Sequence, residues 1–137
     1  MNIELTTKEY RRLLDIVYIG NWVLNSTRGD DRFEDYDNVE SLIFSHCAEL
    51  GMDKLYENCD GVILPSREFE DGGIHEAIAD YEDAVFFEIL AEEFSYRDMD
   101  YAPIDVSNYD EFNRRVDDYM EEFHEHGLDN VEIEKDI

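Results

Sequence analysis

Apolar residues recur at helical spacing along four stretches of this chain, and that 3.6-residue period constrains the fold more than any other feature. Thr6, three residues before Glu9, forms a capping-box signature. Tyr10, Leu13, Leu14, Val17, Tyr18 and Leu24 follow on one face, which predicts a helix over 7–26. Ile16, Ile19, Trp22 and Val23 widen the apolar surface, as expected of a helix at the centre of a core. Asp37 and Glu40 repeat the cap in acidic form, and Val39, Leu42, Ile43, His46, Cys47 and Leu50 extend a second helix that Gly51 closes.

Residues 52–73 lose the period. They hold an apolar run over 62–64, then Pro65, then the breaker pair Gly72-Gly73, and read as a loop with one short strand. The longest helix is expected over 74–98, with Ile78, Tyr81, Val85, Phe86, Ile89, Leu90 and Phe94 toward the core. After an aperiodic stretch around Pro103, Ser107 and Asp110 form the cap of a last helix, whose inner face is Phe112, Val116, Tyr119, Met120 and Phe123 and whose end is Gly127. Residues 2–5 and 131–134 alternate apolar and polar positions, so the termini are expected to pair as a two-stranded ribbon. The expected architecture is all-α: one acidic domain over 1–137, a bundle of about four helices.

Thirty-seven acids against eleven bases give a net charge of −26. Charge of that sign repels nucleic acid, whose phosphates need Lys and Arg, and it disfavours an anionic membrane surface. Disorder is not expected, because Tyr, Phe and Trp number eighteen and 43% of residues are hydrophobic. Cys47 and Cys59 are too few for a disulfide framework, and no apolar signal core or membrane-length run is present, so a cytoplasmic setting is the expectation. The excess is uneven: residues 1–68 carry fourteen acids and seven bases, residues 69–137 twenty-three acids and four bases. A cationic partner would dock on the C-terminal half.

Catalytic and metal motifs are incomplete. His75-Glu76 lacks the second His of a zinc helix, since Ala79 stands there. Asp98, Asp100 and Asp105 resemble a calcium loop in composition, but Pro103 takes the place of the obligatory Gly and Tyr109 that of the closing Glu. His124 and His126 are two residues apart, so on a helix they diverge, and their place in a last turn suits the helix dipole. Cys47 falls on an apolar face beside His46, as a core thiol does. No cofactor and no metal is expected.

What remains is the acidic exterior of the last two helices. Asp117, Glu121 and Glu125 recur every four residues, about 6 Å apart along the axis, with Asp118 and Glu122 beside them. Asp110 precedes them, and Glu92 and Glu93 stand on the preceding helix. A row at that pitch can imitate a phosphate backbone. Spread evenly over the roughly 7,500 Å² expected of such a monomer, −26 is about one charge per 290 Å². B-DNA carries about one per 110 Å². Mimicry therefore needs the charges gathered on one side.

The sequence thus points to a non-catalytic interaction protein whose C-terminal acids occupy a Lys/Arg-rich protein surface, as a nucleic-acid mimic or decoy. The alternative is a small domain that binds through exposed aromatics, Tyr96 and Tyr101 being the candidates, with charge serving solubility alone. A third reading is a metal-dependent enzyme.

Overall fold

The computed structural model describes residues 1–135 and divides the chain into two compact units, residues 1–79 and residues from Asp80 onward. The elements are mainly helical, with one small antiparallel sheet: α1 (Thr7–Asn25), α2 (Glu34–Phe44), β1 (Tyr56–Cys59), β2 (Val62–Pro65), the short α3 (Arg67–Phe69), α4 (His75–Asp98) and α5 (Tyr109–His126).

In the first unit, the capping box starts α1 as the sequence predicts: Glu9 N–H donates to Thr6 Oγ1 at 3.2 Å, and Thr6 N–H donates to Glu9 Oε2 at 2.8 Å. The buried face of α1 is Tyr10, Leu14 and Tyr18, continued by two asparagines, Asn21 and Asn25. Ile16 and Val23 are 67% and 63% exposed, so α1 packs along one side and is not the encircled helix that its apolar width suggested. Tyr10 Oη donates to the Ile43 carbonyl at 2.7 Å and ties α1 to the end of α2.

Helix α2 begins three residues earlier than its acidic cap signal, because Asp37 is engaged elsewhere. It accepts from Arg32 Nε and Nη2 at 2.7 and 2.8 Å and from Asn21 Nδ2 at 3.0 Å. Glu40 and Phe44 are the buried residues of α2, while Val39 and Leu42 are exposed. The helix stops at Phe44, and a separate 3-10 turn, Ala48–Leu50, leads to Gly51. Asn25 is 1% exposed and organises the intervening loop: its Oδ1 accepts from Phe33 N–H at 2.8 Å and its Nδ2 donates to the Phe33 carbonyl at 3.1 Å and to Asn21 Oδ1 at 2.7 Å.

The ribbon expected of the termini does not form. Residues 1–6 and 130–135 carry no regular structure, and Ile3 and Ile133, 74% and 83% exposed, have no surface to cover. The strands that do pair are β1 and β2, joined by Asp60-Gly61. Both turn residues have positive φ, 52° and 88°, the geometry that matches strand twist in a two-residue hairpin and that glycine adopts without steric cost. Ser66, 5% exposed, then donates from Oγ to the Lys54 carbonyl at 2.5 Å and accepts from Phe69 N–H at 3.1 Å, which starts α3 against the core. Gly73, at φ 112°, makes the kink that releases the chain into α4. Phe44, Phe69, Leu14 and Cys47 are nearly or fully buried, with Phe69 edge-on to both Tyr18 and Phe44 at 5.3 and 5.0 Å.

The second unit is a helix pair. Ala91 and Ser95 of α4 are fully buried. Ser95 Oγ donates to the Ala91 carbonyl at 2.7 Å, so its hydroxyl is satisfied within the helix. Around them the rings meet: Tyr96 on Phe112 at 4.7 Å, Phe94 on Tyr119 at 5.4 Å and Phe87 on Phe123 at 5.3 Å. The inner face of α5 is the one its periodicity predicts. That of α4 is not, since Tyr81, Phe86 and Ile89 are 66%, 48% and 54% exposed. Within this unit α4 has one helical neighbour, which covers one side of it only.

Candidate functional site

The two units differ in what they do with charge. Residues 1–79 hold seventeen acids and seven bases, and the five arginines of this unit are occupied: Arg11 and Arg12 with Asp15 at 2.8 and 3.7 Å, Arg28 with Asp31 at 2.9 Å, Arg32 with Asp37 at 2.7 Å and Arg67 with Asp71 at 3.6 Å. Residues 80–137 hold twenty acids and four bases. Arg97 pairs with Asp98 at 2.9 Å and Arg115 with Glu111 at 3.0 Å. The excess is left facing water.

A helix turns 100° per residue. Measured from the Phe112–Phe123 side of α5, Asp110, Asp117, Glu121 and Glu125 lie on the opposite side, and all four are exposed. Asp118, also exposed, sits at the edge of that stripe. Among the described residues, none of Asp110, Asp117, Asp118 and Glu121 has a basic side chain within 4.0 Å. Glu125 and Glu122 have one neighbour each in His126, whose Nε2 stands 3.6 and 3.9 Å away. Glu122 is half-buried on the flank and accepts from Asn130 Nδ2 at 2.5 Å. Asp110 lies in the first turn of α5, where a negative charge complements the helix dipole.

Glu92 and Glu93 belong to a different surface. Glu93 is exposed on the side of α4 away from Ala91 and Ser95, and Glu92 is half-buried beside it. Since α4 and α5 meet through their ring-bearing sides, Glu93 and the α5 stripe point to opposite sides of the pair. The acidic row is therefore that of α5 alone and runs from Asp117 to Glu125, with the exposed Arg114 on the same side between it and Asp110. The chain exposes 10643 Å². Shared among 26 net charges this is about 410 Å² per charge, so even spreading falls further below the density of DNA than expected.

Hydrogen bonds fix the protonation of several acids. Tyr119 Oη donates to Asp98 Oδ2, and with Arg97 this holds the Asp98 carboxyl below the usual carboxylate range. Asp105 is held low by Ser107, whose Oγ and N–H donate to Oδ1 at 2.5 and 2.8 Å. Asp98 thus links the end of α4 to Tyr119 of α5, and Asp105 is tied into its own loop. Among the described residues no group of three or more His, Cys, Asp or Glu could hold a metal ion. Cys47 is fully buried, and burial pushes its thiol up, as fits a core cysteine. No helix among the described residues is long and apolar enough to cross a membrane.

Of the two aromatic candidates, Tyr101 is 69% exposed, whereas Tyr96 is half-buried and stacked on Phe112 in the core of the helix pair. What sequence reasoning missed lies in the first unit: Glu40, a polar residue on a helix, is only 9% exposed and lines a cavity with Trp22 and Tyr18. No family model, curated protein or solved structure matches this chain.

Proposed function

We propose that this protein is a non-catalytic interaction module whose α5 carboxylates dock on a Lys/Arg-rich protein surface. The observation that carries the reading is the row Asp117, Glu121 and Glu125: exposed, on one side of one helix, and with Asp117 and Glu121 free of any cation within 4.0 Å among the described residues. Carboxylates left in that state raise the local negative potential and steer a basic partner. Extended contact with such a row suits a protein that otherwise binds nucleic acid, which is the decoy form of the reading.

The test separates the row from bulk charge. One variant converts Asp117, Asp118, Glu121 and Glu125 to their amides, and a charge-matched control converts the exposed Asp30, Glu34, Asp35 and Glu57 of the first unit. On an immobilised arginine-rich peptide, the α5 variant should elute at distinctly lower salt than the control, with helix content unchanged. Equal elution of the two would mean that net charge alone is at work, and the docking row would be withdrawn. The aromatic alternative rests on Tyr101, and a Tyr101→Ala variant with unaltered partner binding removes it.

A further inference from the structure

In the first unit an open cavity of ≈ 260 Å³ is walled by the Tyr18 and Trp22 rings of α1, by Glu40 of α2 and by Glu70. Leu64 and Pro65 of β2 complete the wall on the hairpin side. Glu40 is 9% exposed, and among the described residues no basic group lies within 4.0 Å of its carboxylate. Its polar neighbour is the neutral amide of Asn21. Arg32 also reaches the cavity, but both of its bonds go to Asp37, at 2.7 and 2.8 Å. Counting Glu40, Glu70 and Asp37 against Arg32, the site carries two negative charges in excess. Burial, with the charges of Asp37 and Glu70 nearby, pushes the Glu40 carboxyl above the usual carboxylate range.

A buried carboxylate without a cation is costly, and a ligand that supplies the cation recovers that cost. An anion would meet two unpaired carboxylates, and a neutral apolar group would leave Glu40 as it is. The cavity falls just below the roughly 300 Å³ at which pockets for drug-sized molecules begin, so it suits one side-chain head group. Of the two permanently charged side-chain head groups, the planar and weakly hydrated guanidinium stacks on an indole and meets a carboxylate with two parallel bonds, whereas an ammonium is a strongly hydrated point charge. We propose that this cavity binds a guanidinium group, free or as the arginine side chain of a peptide, stacked against Trp22 and paired with Glu40. The site is separate from the α5 row, and its test requires no protein partner.

Trp22 is the only tryptophan of the chain, so its emission reports directly on the cavity. The probe is N-acetyl-arginine amide, with N-acetyl-citrulline amide as the uncharged counterpart of the same shape, in about 0.2 M salt to suppress general attraction to an acidic protein. A saturable change in emission is expected with a Kd of about 1 to 10 mM for the arginine compound and none for citrulline. Glu40→Gln should weaken binding about tenfold or more while retaining helix content, and Glu70→Gln, at the rim, should weaken it by a smaller factor. The α5 amide variant should bind the probe as the unaltered protein does, which keeps this result distinct from the outcome for the docking row. A Gly-Arg-Gly peptide that binds more tightly than the single amino acid identifies a polypeptide source, and equal affinity a free one. No saturable change, an equal response to citrulline, or undiminished affinity in Glu40→Gln would overturn the proposal.

Discussion

In residues 1–79 the buried side chains include Asn21, Asn25, Glu40 and Ser66, whereas from residue 80 onward the one buried polar side chain among the described residues is Ser95, whose hydroxyl bonds within its own helix. The first unit holds its loops and its hairpin in place through these interior amides and hydroxyls. The second joins two helices through rings and two small residues. Polar atoms in a core need partners of defined position, so they bind distant segments into one geometry and leave a shaped, charged cavity beside them. Rings packed along one face leave the outer side of α5 free to carry acids from Asp117 to Glu125. The first unit thus turns a carboxylate, Glu40, into a cavity wall, and the second carries its acids on an outer helix face.

The largest effects should come from the two cores. Phe44→Ala, at a fully buried position of the first unit, should cost about 3 to 5 kcal/mol, since Phe69 and Leu14 cannot collapse into the space. Phe123→Ala should fall at the lower end, about 3 kcal/mol, because a two-helix contact closes up more readily than a core enclosed by several elements. Urea unfolding followed by helix ellipticity, with Trp22 emission added for Phe44→Ala, measures both. A cost for Phe123→Ala above that for Phe44→Ala would break the comparison.

Next in size is the polar interior. Asn25→Ala should cost about 2 to 3 kcal/mol, because it leaves the Phe33 N–H and the Asn21 carboxamide oxygen without their partner. A loss below about 1 kcal/mol would show that water replaces those bonds and that the interior amides are not what holds the 26–33 loop.

The smallest effect is in the pH dependence, where Glu40 opposes the other acids with a shifted pKa. Glu9, Asp31 and Asp37 of the first unit and Asp98 and Asp105 of the second are held low, so the stability they contribute is present above the usual carboxylate range and is lost as pH falls through it. Glu40 of the first unit is held high. Its contribution is present below the usual carboxylate range and is lost as pH rises past it. Melts followed by Trp22 emission at about pH 4.5 and 7.5 should therefore show a smaller loss at the higher pH in Glu40→Gln than in the unaltered protein. An identical pH dependence in the two would mean that Glu40 is solvated in the folded state, and the buried-carboxylate picture of the cavity would go with it.

The start of α1, the inner face of α5 and the glycine that ends it were legible because each depends on residues within a turn or two of one another. The hairpin differs from the expected loop with one short strand: the strand before Asp60-Gly61, Tyr56–Cys59, is polar at two of four positions and gives no period of its own, so only the apolar side over 62–64 stands out. For α2 the local signal misled. Asp37 and Glu40 look like a cap, yet Asp37 is held by Arg32 and Asn21, and Glu40 is buried. The apolar positions Tyr81, Phe86 and Ile89 misled in the opposite sense, since a helical period shows which residues share a side and not how many sides a neighbour covers.

By itself, then, the sequence determined the helical class, the ends of α1, the C-terminal end of α5, and the concentration of acid after residue 80, but not the cap of α5, which is Asn108 rather than Ser107. All of these follow from composition and from interactions three or four residues apart. Tertiary structure alone decided that Asn21, Asn25 and Glu40 turn inward, that Arg32 is used up by Asp37, and that Glu93 points away from the α5 row. Those outcomes depend on which segment of chain arrives to cover a given side chain, and a buried amide or carboxylate has the same local sequence as a solvated one.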